Sequence, residues 1–87
     1  MRKRYIKVLN AFFHEHVLRS RVELGFTQEE MAHRLAMANR NYVDLDHGKL
    51  GCSGLTLAMY LVYVCADPLA FLVELRRAFD EESNEAA

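Results

Sequence analysis

Four histidines (His14, His16, His33 and His47) and two cysteines (Cys52 and Cys65) are the residues of this chain whose types could bind a metal or carry a proton. Their spacing argues against both. His14 and His16 stand two apart, which on a helix puts them on different faces, and no cysteine or carboxylate completes a ligand set. Cys52 and Cys65 show no CxxC or comparable ligand spacing. A glycine-rich phosphate loop and a nucleophile–base pair are also missing, so neither an enzyme nor a bound cofactor is expected. His16 reads as a helix-packing residue and His33 as a surface one. What remains is hydrogen-bonding chemistry on a helix surface. The stretch Arg21-Val-Glu-Leu-Gly-Phe-Thr-Gln-Glu-Glu-Met-Ala-His-Arg-Leu35 ends one helix at a glycine and opens a second on Thr-x-x-Glu. Ala36-Met37-Ala38 then lead into a third short helix that stops at Gly48. Two short helices across a tight turn can push one of them into the DNA major groove, where side chains read base edges.

Five helices and no strands are expected to position that pair. A first helix is predicted from about Tyr5 to Leu24, because Val8, Leu9, Phe12, Phe13, His16, Val17 and Leu24 fall near a period of about 3.6 residues. Gly25 is its natural left-handed C′ residue. Thr27 caps the second helix with Glu30 in a capping box, and Phe26 and Met31 form the matching hydrophobic staple. The third spans Asn39 to Asp46, burying Tyr42 and Leu45 with Met37 under the turn. Ser53 caps a fourth over Gly54 to Cys65, striped by Leu57, Tyr60, Leu61 and Val64. Asp67 as N-cap and Pro68 at N1 start a fifth carrying Leu69, Leu72, Val73, Leu75 and Phe79. Asp80-Glu81-Glu82 is expected to stop it, leaving Ser83 to Ala87 frayed.

The chain has 87 residues, room for one compact domain; 52% are hydrophobic and 26% charged, as in a folded globular chain. The uncharged run from Gly51 to Ala66 is shorter than the roughly 18 residues of a span and contains two glycines, which excludes a membrane segment. With no signal-peptide pattern, a reducing cytoplasm is the expected location. The net charge of −1 hides an asymmetry: residues 1–49 carry nine basic and six acidic side chains, net +3, and residues 50–87 carry two and six, net −4. A basic and an acidic half in one small domain suit an oriented encounter with a polyanion.

Over residues 13–72 the pattern resembles, without a gap, the Cro/CI-type helix-turn-helix family of phage repressors and their bacterial relatives. The likeness is carried by Arg21 four residues before Gly25, by Thr27-Gln28-Glu29-Glu30-Met31-Ala32 and Leu35, and then by Tyr42, Leu45-Asp46-His47-Gly48-Lys49 and Ser53…Thr56-Leu57…Leu61. It implies an all-α, five-helix lambda-repressor-like domain with helices 2 and 3 as the helix-turn-helix. Residues 1–12 are then a basic extension of helix 1, residues 13–80 the DNA-binding and dimerisation domain, and residues 81–87 an acidic, disordered tail.

The resemblance also implies roles. Gln28, helped by Thr27, is expected on phosphate at the start of helix 2, with His47 and Lys49 as a second backbone clamp. Base reading falls to Asn39, Arg40 and Asp44, with Asn41 and Val43 at the margins. Asn39 suits the adenine edge and Arg40 the O6 and N7 of guanine. Arg21 and Asp46 are expected to form a structural ion pair fixing the tilt of helix 3. Asp44, spaced i, i+4 from Arg40, could orient its guanidinium or neutralise it. Two positions depart from the family: Ala36 stands where glycine is usual in the turn, and Ala38 stands at the helix 3 N-cap, often serine or threonine. Arg2-Lys3-Arg4 reads as a DNA-following arm or as a solubilising, disordered terminus.

Met59 and Tyr63 on helix 4, with Phe71, Leu72, Leu75 and Phe79 on helix 5, exceed what one small core should hide, so a homodimer through these residues is expected. It would read an inverted repeat in double-stranded DNA as a repressor, with no membrane or small-molecule partner. The rival is a protein-interaction module on the same fold that has lost DNA binding, antitoxin-like or regulator-binding.

Overall fold

A computed structural model of the chain describes residues 2–86. Five helices follow one another: α1 (Arg2–Leu24), α2 (Gln28–Arg34), α3 (Asn39–Asp46), α4 (Gly54–Tyr63) and α5 (Pro68–Ala86). No strand occurs among the described residues. The expected starts of α2 to α5 hold. Thr27 Oγ1 accepts from the Glu30 amide at 3.1 Å while Glu30 Oε1 accepts from the Thr27 amide at 3.4 Å, completing the capping box of α2. Ser53 Oγ accepts from the Thr56 amide at 3.1 Å, and Asp67 Oδ1 from the Ala70 amide at 3.1 Å, so both carry out their capping roles for α4 and α5. Ala38 occupies the N-cap of α3 with no side-chain hydrogen bond.

Three of the helices end by one device. Gly25 (φ 70°), Ala36 (φ 55°) and Gly48 (φ 75°) each turn left-handed just beyond α1, α2 and α3. The next amide then reaches back: Phe26 N to Arg21 O at 3.0 Å, Met37 N to Ala32 O at 2.9 Å, Lys49 N to Asp44 O at 2.8 Å. Ala36 thus does with a Cβ what glycine does at the other two positions.

The core joins all five helices. Phe13 and Val17 of α1, Met31 and Ala32 of α2 with its C-cap Leu35, and Tyr42 and Leu45 of α3 are essentially sealed. Tyr60 of α4 and Phe71 of α5 close the other side, the Tyr60 ring lying 5.4 Å from Phe13 and 5.6 Å from Phe71. The Tyr60 hydroxyl shares a hydrogen bond with Ser20 Oγ at 2.7 Å, so this buried phenol brings no unpaired polar atom into the core. Ala32 is fully buried where α2 and α3 pack together, which explains its small side chain.

Both ends of the chain differ from expectation. Neither an extended arm nor a disordered terminus forms at Arg2-Lys3-Arg4: α1 is helical from Arg2. Nor do the acidic residues stop α5, which runs on to Ala86. Each helix end explains the other. The aromatic pairs Phe12–Phe71 (5.1 Å) and Tyr5–Phe79 (5.2 Å) show α1 and α5 lying antiparallel, and Arg4 Nε meets Glu82 Oε1 at 3.0 Å. Acidic residues at a helix C-terminus oppose its dipole. Here Glu82 meets Arg4 beside the Tyr5–Phe79 pair, and glutamate and alanine are good helix formers. Met1 and Ala87, the outermost residues of the basic extension and the acidic tail, lie outside the described residues. α4 also stops two residues early, at Tyr63, because the Cys65 amide turns back to Tyr60 O at 2.8 Å.

Candidate functional site

Asp46, the last residue of α3, is where the fold is tied together. Its side chain is 7% exposed, and three elements donate to it. Arg21 Nε of α1 reaches Oδ1 at 3.2 Å, the Tyr42 hydroxyl one turn back reaches Oδ1 at 3.0 Å, and Gln28 Nε2 of α2 reaches Oδ2 at 2.9 Å. The Asp46 carbonyl is held as well, accepting from His14 Nε2 at 2.8 Å when that nitrogen carries the proton. Burial alone would lift this carboxyl, but the hydrogen bonds from Gln28 and Tyr42 and the Arg21 guanidinium hold it below the usual carboxylate range. Burial and the Asp46 charge push the Tyr42 phenol up, so it stays a neutral donor. The expected Arg21–Asp46 pair is therefore present, and it is one spoke of a larger hub.

The hub changes what Gln28 can do. Expected on phosphate, its amide nitrogen is bonded to Asp46 instead. Thr27 is likewise engaged, its hydroxyl also donating to Glu30 Oε1 at 3.1 Å. Sequence reasoning found Arg21–Asp46 but missed Gln28, Tyr42 and His14 as partners. The i, i+4 spacing of Tyr42 and Asp46 was the available signal. Gln28 and His14 lie 18 and 32 residues away, and only the packing of α2 and α1 on α3 brings them in.

With Tyr42, Leu45 and Asp46 turned inward, α3 leaves Asn39, Arg40 and Asn41 exposed around its first turn, while Val43 and Asp44 are half-buried. His47 and Lys49 are exposed just past its end. The candidate base-reading and clamp residues thus lie on and beside one short helix, at the edge of the domain. Arg40 and Asp44 form no salt bridge among the described residues.

The α4–α5 residues expected at an oligomer interface divide in two. Phe71 and Leu75 are 2% and 9% exposed, taken up by the chain's own core. Met59 and Phe79 are partly buried against that core, whereas Tyr63 and Leu72 are 63% and 48% exposed. Val62, Leu69 and Val73 are exposed as well and add to the apolar surface of α4 and α5.

Among the described residues, no group of three or more His, Cys, Asp or Glu side chains could hold a metal, and no helix is long and apolar enough to cross a membrane. Cys52 and Cys65 are unpaired thiols, and burial pushes that of Cys52 up to about 11. Compared with protein-family models, with curated proteins and with solved structures, the chain finds no match in any of the three.

Proposed function

We propose that this chain is a sequence-specific DNA-binding transcriptional regulator of the lambda-repressor-like type, with α2 and α3 as its helix-turn-helix. The observation that carries this reading is the two-faced character of α3. One side is locked inward through Tyr42, Leu45 and the Asp46 hub, and Asn39, Arg40 and Asn41 around its first turn are open to solvent. A reading helix needs both: rigid tilt, and free amide and guanidinium groups that match adenine and guanine edges. His47 and Lys49 beyond its end suit phosphate contacts, and the excess of basic residues in the first 49 supports approach to a polyanion. Tyr63 and Leu72 support a two-fold homodimer that sets two such helices about 34 Å apart on an inverted repeat, acting as a repressor. Two free thiols fit a reducing cytoplasm.

A second reading, an interaction module on the same fold, is favoured by Gln28. One N–H of its amide is committed to Asp46 and the α3 N-cap is bare, which leaves fewer groups free to greet DNA.

Selection of purified protein against a randomised duplex library, sequenced at two salt concentrations, separates them. Enrichment of an inverted repeat that weakens with salt is the expected result. No enrichment at either concentration would overturn the DNA reading and direct attention to the apolar surface of α4 and α5.

A further inference from the structure

The chain has three lysines, Lys3, Lys7 and Lys49, and the fold aligns them. Lys3, Lys7, Asn10 and His14 recur at i, i+4, i+7 and i+11, one stripe along α1. The later half of that stripe is fastened to the loop that follows α3. Asn10 Oδ1 accepts from the Cys52 amide at 2.8 Å, and His14 holds the Asp46 carbonyl. Gly51 comes so close that a Cβ there would sit 3.0 Å from Asn10 Nδ2. Lys49 shares a shallow cavity with Asn10, His14 and Gly48. The stripe therefore continues from the end of α3, along the side of α1 away from Tyr5, Phe12 and His16, which face α5.

All three lysines are exposed and in no salt bridge among the described residues, whereas Arg4, Arg19, Arg21 and Arg76 each have a carboxylate partner. The first turn of α1 carries no acidic residue, so Lys3 opposes the helix dipole.

We infer that Lys3 and Lys7, in line with Lys49, form a track for the phosphodiester backbone of duplex DNA beyond the segment read by α3. This rests on the DNA reading proposed above. Charge complementarity commits the stripe to a polyanion, and its length sets the reach. At about 1.5 Å per residue, Lys3 lies about 16 Å along α1 from His14. That is roughly five base pairs of duplex at about 3.4 Å each.

The test compares wild type with a Lys3→Gln/Lys7→Gln double variant on two duplexes: the selected site trimmed to its enriched bases, and the same site with ten base pairs added on each side. Arg77→Gln, an exposed cation on α5, controls for net charge. Each phosphate contact contributes about 0.9 to the slope of log affinity against log salt, so the double variant, which removes two lysines from each protomer of the proposed homodimer, should lose about 3.6 from the slope on the long duplex. Between 50 and 200 mM salt, wild-type affinity for it then falls about 150-fold more than the variant's. On the trimmed duplex the two should coincide, and Arg77→Gln should match wild type on both. An unchanged slope on the long duplex, an equal loss on both lengths, or the same loss per charge from Arg77→Gln overturns the flanking track and leaves the DNA reading standing. Failure of the wild type to bind either duplex overturns both.

Discussion

Asp46→Ala removes a carboxylate that three donors share, and the cost can be worked from what each donor is left with. The Tyr42 hydroxyl is the worst placed: its residue is 0% exposed and its hydrogen bond runs to Asp46 alone. An unsatisfied buried donor costs about 1–3 kcal/mol. Arg21 fares better, being 23% exposed and keeping the Phe26 carbonyl at 3.3 Å. Gln28 is half-buried and can turn to water. Breaking a buried ion pair costs about 3–5 kcal/mol, and the partial solvation of Arg21 sets the expectation at the lower end, about 3 kcal/mol. For a domain of this size each kcal/mol lowers Tm by about 4–8 °C, so a fall of about 12–24 °C should be seen by far-UV circular dichroism, with urea unfolding giving the same difference. A double-mutant cycle with Arg21→Ala should show strong non-additivity, because both changes cut one network. A loss below about 0.5 kcal/mol, or additive effects in the cycle, would refute the claim that Asp46 ties α1, α2 and α3 together.

The same carboxylate sets a pH signature. Its folded pKa lies below the ordinary 3.8, so its stabilisation is fully present above that value and is lost as pH falls through the folded pKa. The difference in urea midpoint between wild type and Asp46→Asn should hold constant from neutral pH down to about 5 and close only in acid below about 4; a gap that closes between pH 5 and 7 would point to another group. Ala36→Gly should stabilise. Relief of the left-handed φ of 55° returns about 1–2 kcal/mol, the freer unfolded chain takes back about 0.4–1, and Tm should rise by a few degrees. Ala38→Ser supplies the side-chain acceptor that α3 lacks and should add about 0.5–1 kcal/mol, read as a higher urea midpoint with unchanged slope.

The elements were legible because their signals are local. Thr27 and Glu30 capping one helix, Ser53 and Asp67 capping two others, and Gly25 and Gly48 ending two more each act within a few residues, so spacing alone places them. The C-terminus was misread for the converse reason. Asp80-Glu81-Glu82 is a poor helix end considered alone, and what sustains α5 is Arg4 and Tyr5, more than seventy residues away in the chain. Apolar counting on α4 and α5 likewise overstated the free surface, because Phe71 packs on Phe12 and His16 of α1 and on Tyr60 of α4, and Leu75 joins the same core.

Gln28 carries the most consequence of the residues whose position was legible and whose contact was not. At the start of α2, with Glu29 and Glu30 beside it, a glutamine has no local partner and reads as free for an anion. In the fold its amide is the only link within the hub between α2 and the carboxylate that ends α3. Asp46, one methylene shorter than a glutamate, keeps its carboxylate close to its own backbone, where Tyr42 can also reach it. The angle between α2 and α3 is thus set by a hydrogen bond as well as by the contact at Ala32. The Gln28 carboxamide nitrogen carries two N–H groups, so donating one to Asp46 leaves the second for a phosphate oxygen without loosening the angle that aims Asn39 and Arg40. On the proposed function Gln28 thus serves DNA first by holding Asp46, and its second N–H can join His47 and Lys49 at the phosphates.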